Sequence, residues 1–503
     1  MKILMAKPIF LKNFVEFIGN IQTVFIFLLF PICFTMNFRA PPLIENATYL
    51  WTWNAPTENC PHSYSVLLDL SLFSLIGSPR KGYAGKGIIL FYANRLGYYP
   101  HIYAGKYLNG GIPQLGHLQN HLNKSNKDIY KSIPKDKCGL AVIDWEDWRP
   151  TWARNWKSKD VYRNLSIELV QQKYINLDDK KAYEVAKMEF EKAGRAFMEE
   201  TLKLGKSLRP NYLWGYYLFP DCYNHHYKKP NYNGSCFDIE KLRNDRLNWL
   251  WKESTALYPS IYLNSHLKST PKAALFSRNR ILESIRVSQV HDVRNPLPIF
   301  PYVRPVFTDT GEYLSETDLV NTIGEAIALG VSGIVVWGST NLSESQDACL
   351  RIQKYMKIVM NPYLINVTLA AKLCNQVLCY DKGICIRKNW NSSDYLHLNP
   401  TSFTIKTGKL GKYKVYGKPK LRDLYEFSKK FQCSCFANKQ CKERVDVQDI
   451  HFVHVCVGRD VCIKSCVNQK LWPCSSRKSG FLAIPQKSHH PCHRPQYTRY
   501  SWK

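Results

Sequence analysis

The chain has 503 residues, of which 45% are hydrophobic and 13% aromatic, and this composition excludes a wholly disordered protein. Its net charge of +29 indicates a polyanionic partner: nucleic acid, an anionic membrane or an acidic polysaccharide. A charge that serves solubility alone is the simpler alternative.

The first element is an apolar run at residues 21–34, which is too short for a comfortable membrane span. It follows Lys7 and Lys12, as in a secretory signal peptide, and predicts a cleaved signal over residues 1–36. An uncleaved anchor is the alternative. The 17 cysteines favour disulfides in an oxidising compartment. A secreted or cell-surface protein is therefore expected, which disfavours nucleic acid and favours an extracellular glycan.

N-glycosylation is predicted at the Asn-x-Ser/Thr sequons, which are Asn46, Asn123, Asn164, Asn233, Asn341, Asn366 and Asn391.

Apolar runs alternate with amphipathic stretches over residues 37–360, which predicts parallel strands joined by crossover helices. The strand predictions are Leu50–Trp53, Gly87–Tyr92, Leu140–Ile143, Tyr212–Leu218, Ser260–Leu263, Ile299–Arg304 and Gly333–Trp337. The helix predictions are Lys180–Leu208, Asn279–Ser288, Glu316–Leu329 and Ser345–Met360. Seven or eight such strands favour a closed TIM-like (β/α) barrel in the α/β class over an open sheet. No nucleotide-binding motif is present, and neither a cofactor nor a metal is expected.

Aromatic and polar residues recur at the ends of these predicted strands. They include Asn54, Tyr92, Asp144, Glu146, Tyr217, Asp221, Tyr262, Tyr302, Arg304 and Trp337. Each alone is compatible with the edge of a core. Together, at one end of a barrel, they predict a cleft in which sugar rings stack on aromatic faces.

Asp144 and Glu146 carry the predicted chemistry. Side chains two residues apart on a strand point the same way, roughly 6–7 Å apart. Acids placed side by side do not flank a glycosidic bond as ordinary retaining or inverting glycosidases require. They suit substrate assistance, in which a sugar's 2-acetamido oxygen attacks its own anomeric carbon. Glu146, beside Trp145 and Trp148, is the expected proton donor, because an apolar setting raises a carboxyl pKa. Asp144 is the expected partner of the acetamido group. A solvated Asp-Glu pair is the structural alternative.

After residue 361 dense cysteines predict a small disulfide-rich, EGF-like module over 361–463. Residues 464–503 are basic and contain no acid, which predicts a disordered tail.

Four segments in order resemble the animal hyaluronidases, and the likeness runs from about Phe38 to Cys462. They are Ala141–Trp152, Leu213–Asn224, Ala256–Tyr262 and Ser332–Trp337. Residues Asn389–Pro400 are similar to the sperm-surface members of that family.

The resemblance implies a retaining endo-β-N-acetylhexosaminidase that cleaves hyaluronan and, more weakly, chondroitin. It implies that Glu146 donates the proton and that Asp144 positions the acetamido group. Tyr217, Tyr262 and Trp337 would then surround the reacting sugar. Further substrate contacts are expected from Asp221, Arg149, Arg280, Tyr92, Asn54 and Tyr302, of which Arg149 and Arg280 would bind glucuronate carboxylates.

The implied disulfides are Cys60–Cys349, Cys222–Cys236, Cys374–Cys385, Cys379–Cys433, Cys435–Cys441 and Cys456–Cys462. Cys138, Cys466, Cys474 and Cys492 have no partner in this set, and Cys138 is expected to be either a buried, inert thiol or one that mispairs. Residues 479–503 are polar and basic, so a GPI anchor is doubtful and membrane association would depend on charge.

A monomer on the sperm surface, in the acrosome or secreted is expected, with a role in passage through the cumulus matrix and contact with the egg coat. The alternative is a non-catalytic hyaluronan-binding or egg-coat adhesion protein on the same scaffold. The intact set of acids and aromatic residues favours catalysis, because an adhesin need not keep them all.

Overall fold

The computed structural model of the protein describes residues 38–45, 47–79, 87–408, 412–458 and 460–467. The predicted signal segment, most of the basic tail and Asn46 lie outside these ranges. From Phe38 onwards the chain forms one compact unit.

The β-strands are β1 Leu50–Asn54, β2 Leu75–Ile76, β3 Ile88–Tyr92, β4 His101–Tyr103, β5 Lys106–Leu108, β6 Gly139–Asp144, β7 Tyr212–Tyr216, β8 Tyr302–Val303, β9 Gly333–Trp337, β10 Gly383–Arg387, β11 Phe403–Thr407, β12 Tyr413–Gly417, β13 Phe431–Cys435, β14 Phe452–Val457 and β15 Val461–Cys466. The α-helices are α1 Asn59–Ser63, α2 Leu118–Ser132, α3 Asp160–Lys173, α4 Asp179–Leu208, α5 Asp238–Asp245, α6 Asn248–Glu253, α7 Pro271–Ser288, α8 Glu316–Leu319, α9 Glu325–Leu329, α10 Gln346–Tyr355, α11 Asn361–Cys379 and α12 Leu421–Lys430. One-turn 3₁₀-helices cover Pro113–Leu115, Trp152–Arg154, Lys157–Lys159, Ser265–Leu267, Thr340–Leu342 and Val447–Asp449.

Apart from the antiparallel pair β4–β5, the strands of the first 340 residues form two parallel sheets, in the orders β2–β1–β9–β8 and β3–β6–β7. No continuous ladder within the described residues joins them. Single parallel bridges lie between their edges, at Ile76–Gly87, Tyr217–Tyr258, Leu257–Ile299 and Ser260–Tyr302. The predicted strand at Ser260–Leu263 is therefore reduced to a bridge, and the one at Ile299–Arg304 to two residues. Pro259 and Pro301 explain this, because proline has no N–H to donate to a ladder.

Both faces of these sheets are buried, as apolar runs without polar alternation predict. Leu140 and Val142 of β6 belong to one apolar cluster, together with Leu90 of β3 and Val335 of β9. The intervening residues of the same strands face a second, larger cluster that includes the helices. Because side chains alternate along a strand, each sheet has an inner face and a helix-covered outer face.

The long helices follow the predicted amphipathic stretches, with shifted boundaries. Helix α4 begins where the Asp178 carboxylate accepts the Lys181 backbone N–H. Helix α7 begins at Pro271, a residue suited to a first helical turn, rather than at Asn279. The stretch predicted as Glu316–Leu329 is α8, a π-helical turn and α9.

The C-terminal part is continuous with the preceding helices. A π-helical turn at Met356–Met360 leads directly into α11, which packs against β10, β13 and β14. Buried ion pairs join Glu325 of α9 to Arg387 of β10, at 3.0 Å, and to Arg278 of α7, at 2.8 Å. The border drawn at residue 361 thus falls inside a continuous helix, and a separate module at 361–463 stays a prediction.

The structure contains the six disulfides that the resemblance implies. Cys138 and Cys466 are disulfide-bonded as well, so the expectation of an inert free thiol at Cys138 is wrong, and mispairing is the alternative that stays. The sequons Asn123, Asn164, Asn233, Asn341 and Asn391 are exposed, whereas Asn366 is half-buried in α11. Among the described residues, no helix combines the length and apolarity that a membrane crossing requires.

Candidate active site

Asp144 is the last residue of β6 and lies in register with Tyr92 of β3. Burial raises the pKa of Asp144 to about 8, and the neighbouring Glu146 adds to the effect while Arg149 opposes it. Its Oδ1 is buried and has no hydrogen-bond partner among the described residues. Asp144 is therefore a desolvated carboxyl group that forms no ion pair within the described residues, and Arg149 offsets only part of the effect of burial.

Glu146 lies beyond the strand, in the loop that follows β6, and its side chain is 51% exposed. Arg149 Nη2 lies 3.2 Å from Glu146 Oε1, and Arg149 Nη1 donates to the Glu146 carbonyl. The placement of both acids on one strand is thus wrong, because β6 ends at Asp144. Exposure lets the Glu146 carboxyl group exchange protons with water, and the contact with Arg149 orients it.

Trp145 and Trp148 do not enclose Glu146, contrary to the sequence prediction. Trp145 is 4% and Trp148 2% exposed, and both rings pack on Tyr99, with centroid distances of 4.5 and 5.2 Å. Trp148 Nε1 also donates to the Pro100 carbonyl at 2.8 Å. These indoles anchor the loop in the core, which leaves the Glu146 side chain outside.

The loop has a second, polar support. Lys159 Nζ donates to the carbonyls of Glu146 and Asp147, and burial lowers its pKa. Asn155 Oδ1 accepts the Arg149 backbone N–H at 2.7 Å. The sequence analysis did not single out these residues, because their contacts depend on how the loop turns. Lys159 and Asn155 fix the backbone from which Glu146 projects.

Aromatic residues from four strand ends surround the Asp144 side of the site. Tyr217 contacts Tyr302 at 5.0 Å and Tyr262 at 6.2 Å, and Tyr262 stacks on Trp337 at 6.0 Å between ring centroids. Burial raises the pKa of Tyr92 to about 12, Asp144 adds to the effect and Trp337 opposes it. The structure therefore brings together the predicted aromatic residues around one carboxyl group.

Buried polar atoms without a partner collect in this region. Among the described residues they include Asp144 Oδ1, both side-chain polar atoms of Asn54, the Tyr302 hydroxyl and Arg304 Nε. Such groups are costly unless a bound molecule completes their hydrogen bonds. Asn54 pairs in register with Trp337, so the group lies at the carboxyl ends of neighbouring strands. This arrangement fits a polar ligand such as a sugar.

Asp221 lies in a separate ionic network. Arg154 pairs with Asp221 and, at 3.2 Å, with Glu240, which also pairs with Arg243. Burial raises the pKa of Asp221, but Arg154, Arg280 and Arg149 outweigh it and hold the pKa below its usual value. The predicted substrate contact of Asp221 is not supported, since its carboxylate is already paired.

The guanidinium of Arg280 also has hydrogen-bond partners within the protein. It is 5% exposed, and its guanidinium donates to Asn224 Oδ1, the Ser260 carbonyl and His225 Nε2 at 2.8–2.9 Å. These contacts place the guanidinium inside the protein, and binding of a glucuronate carboxylate by Arg280 stays a prediction. Arg149, the other predicted carboxylate ligand, is paired with Glu146.

Two groups of side chains have a metal-like spacing: Cys433, Cys435 and Cys441, and His454 with Cys456 and Cys462. All five cysteines are in disulfides, so they offer no thiolate.

Comparison with known proteins decides the family. The sequence model described as hyaluronidase matches residues 38–445, most of the chain. The chain belongs to the hyaluronidase family.

Several relatives of this hyaluronidase are PH-20 proteins. It is 59% identical to Hyaluronidase PH-20 of Macaca fascicularis over 92% of this chain and 91% of that one. It is 60% identical to the Oryctolagus cuniculus protein of the same name, over 93% and 87%. The solved bee venom hyaluronidase is 30% identical, has a TM-score of 0.54 and is matched over 63% of this chain and 99% of its own length. The predicted family and the likeness to its PH-20 members are confirmed, and the fold is that of a hyaluronidase.

The sequence analysis missed Lys159 and Asn155 of this site and included Arg304 only among the polar residues at predicted strand ends. Arg304 has a signal in the chain, since it follows Tyr302 by two residues at a predicted strand end. Lys159 has none, since it lies 13 residues from the carbonyl it binds.

Proposed function

We propose that this protein hydrolyses the β-1,4 linkages of hyaluronan, and more weakly of chondroitin, as a retaining endo-β-N-acetylhexosaminidase. The relatives are named hyaluronidases, and the bee venom protein has been solved in complex with a hyaluronic acid tetramer. The observation that carries the mechanism is the desolvated, unpaired carboxyl group of Asp144 beside the exposed acid Glu146.

The two parallel sheets are arcs of one eight-membered (β/α) barrel. The order runs β1, β2, β3, β6, β7, the segment 257–260, β8 and β9. Four single bridges at the sheet edges, together with the inner apolar cluster, support this arrangement. The carboxyl ends of parallel barrel strands meet at one face, where active sites of such barrels form.

Glu146 protonates the glycosidic oxygen of the leaving sugar while the acetamido oxygen of the reacting sugar attacks the anomeric carbon. The C–O bond to the leaving group breaks, and a cyclic oxazolinium forms. Glu146, now a carboxylate, removes a proton from water, which attacks the same carbon and reopens the ring. Two displacements at one carbon retain its configuration.

Asp144 accepts the acetamido N–H and faces the positive charge that develops on the oxazolinium. That charge compensates the Asp144 carboxylate, which forms no ion pair within the described residues. The interaction is stronger in the transition state than with the neutral acetamido group, which is the condition for catalysis. Tyr217, Tyr262 and Trp337 hold the reacting sugar against it.

The remaining predictions rest on the resemblance and the charge. Hyaluronan carries one carboxylate per disaccharide, and the net charge of +29 attracts such a polymer. A secretory route, a sperm-surface or acrosomal location, an egg-coat partner and a monomeric state belong to the same proposal. The net positive charge would favour electrostatic attachment to anionic surfaces.

The test uses Glu146→Gln, with Glu184→Gln on the exposed face of α4 as the matched control. Glu146→Gln is expected to abolish the release of reducing ends from hyaluronan while binding persists, because glutamine cannot donate the proton. De-N-acetylated hyaluronan is expected to resist the wild-type protein. Normal cleavage of that polymer would replace substrate assistance with an enzyme nucleophile.

The adhesion-protein alternative predicts hyaluronan binding without turnover by the wild-type protein. The relatives' names and the intact site do not favour it. A hyaluronan-loaded gel separates the two, since only a hydrolase clears a band.

A further inference from the structure

Arg304 lies just after β8, and its guanidinium lies over two of the aromatic rings that surround the site, those of Trp337 and Tyr262. The centroid distances are 5.3 Å to Trp337 and 5.9 Å to Tyr262. Within the described residues these ring contacts are its only interactions: no acid pairs with it, and its buried Nε has no hydrogen-bond partner. Arg304 is thus a half-buried cation without a counter-charge.

This state differs from that of the neighbouring arginines. Arg149 pairs with Glu146, Arg154 pairs with Asp221 and Glu240, and Arg280 donates to three protein acceptors. A partly desolvated guanidinium that makes no ion pair loses hydration without compensation. Its five N–H groups form a planar fork that matches a carboxylate. The anion that would pair with Arg304 is therefore expected to belong to a bound ligand.

We propose that Arg304 binds a uronate carboxylate of the polysaccharide, on the sugar adjoining the one held by Tyr262 and Trp337. This inference rests on the proposed function and names the residue by which the cleft distinguishes a uronate-containing polymer from a neutral one. The two rings lie against the guanidinium, and in this proposal its N–H groups are left for the bound chain. Asp144 is the rival partner, yet no ion pair joins the two in the described residues.

The experiment measures binding in the Glu146→Gln background, where the chain is not cut. The ligands are a hyaluronan octasaccharide and the same octasaccharide with its carboxyl groups reduced to alcohols. Arg304→Gln is expected to weaken binding of the native octasaccharide about ten- to a hundred-fold, as loss of a charge-assisted hydrogen bond does. It is expected to leave binding of the reduced octasaccharide within about two-fold, because no carboxylate remains to lose.

Two variants make the result specific. The control is Arg195→Gln, on the outer helix α4, which removes an equal charge that also lies over a ring, that of Trp249 at 5.5 Å. It is expected to change the affinity for neither octasaccharide by more than about two-fold. Arg304→Lys keeps the charge but loses the fork, and an intermediate affinity is expected even if the glutamine variant folds poorly.

The proposal would be overturned if Arg304→Gln lost equal affinity for both octasaccharides, or lost affinity for neither. A further measurement uses Arg304→Gln without the Glu146 change and compares the pH dependence of kcat/KM on native and carboxyl-reduced hyaluronan. An equal shift on both substrates would show that Arg304 acts on the Asp144 carboxyl group instead of on a uronate. Failure of the wild-type protein to cut hyaluronan would remove the proposed function, but the difference between the two octasaccharides would still report on Arg304.

Discussion

Asp144 and Asp221 follow neighbouring strands, β6 and β7, and their surroundings shift their pKa values in opposite directions. Burial raises the pKa of Asp144 to about 8, whereas Arg154 and two further arginines outweigh burial at Asp221 and lower its pKa. The difference lies in the counter-charge that the protein supplies. A buried acid with a partner serves structure, and one without a partner is available to a ligand.

Loss of the unpaired carboxyl group should have the largest effect on catalysis. Asp144→Asn keeps the shape but cannot compensate the oxazolinium charge. We expect kcat on hyaluronan to fall about a hundred- to a thousand-fold, the range for loss of one preorganised electrostatic contact. Asp245→Asn, which removes an exposed acid paired with Arg286 at the end of α5, serves as the control. Near-normal kcat in Asp144→Asn would end the proposed role.

Loss of the paired carboxylate should instead weaken the fold. Asp221→Asn leaves Arg154 with Glu240 as its remaining acidic partner, and we expect unfolding to become easier by about 2 kcal/mol at pH 7. Because the folded pKa of Asp221 is lowered, its contribution is present above the usual value of 3.8 and is lost as pH falls through the folded value. Denaturant unfolding at pH 7 and pH 3 measures this. An equal deficit at both values would contradict the argument.

Asp144→Asn should have the opposite effect on stability. A raised pKa means that folding favours the protonated acid, so stability declines as pH rises from about 4 towards 8. Removing the carboxyl group should therefore stabilise the fold at pH 7.5, by on the order of 1–2 kcal/mol, and make no difference near pH 4. Thermal unfolding of both proteins across this range checks the sign. A less stable variant at pH 7.5 would show that Asp144 has a cationic partner.

The smallest effect on catalysis is expected from substitution of Arg149, which contacts Glu146 and acts on the charge of Asp144. Arg149 lowers the pKa of Asp144 and orients Glu146, so Arg149→Gln should raise the Asp144 pKa further. We expect a fall in kcat/KM of about ten-fold at neutral pH, and a shift of the acidic limb of its pH profile to higher pH. An unshifted profile with reduced kcat/KM would leave Arg149 with orientation alone.

Within residues 37–360 the sequence predicted four of the helical stretches and seven strands, but not how the strands pair. The apolar runs at β1, β3, β6, β7 and β9 were sufficient signals, because parallel strands buried on both faces require them. Ser260–Leu263 and Ile299–Arg304 were overestimated as strands, because Pro259 and Pro301 limit pairing there to single bridges and a two-residue strand. The disulfide pattern came from family likeness rather than from spacing, which leaves pairing open.

The sequence by itself determined which chemistry is available: two acids after a buried strand, and aromatic residues at the ends of its neighbours. Only the tertiary structure decided which groups are free to use. Arg154 pairs with Asp221, which lies 67 residues away in the chain. Trp145 and Trp148 are buried in the core and do not cover Glu146. Arg280 donates its hydrogen bonds to protein acceptors, whereas Arg304 contacts only aromatic rings within the described residues. The physical reason is that charge pairing and desolvation depend on neighbours that are distant in the chain, whereas strand propensity and residue type are local.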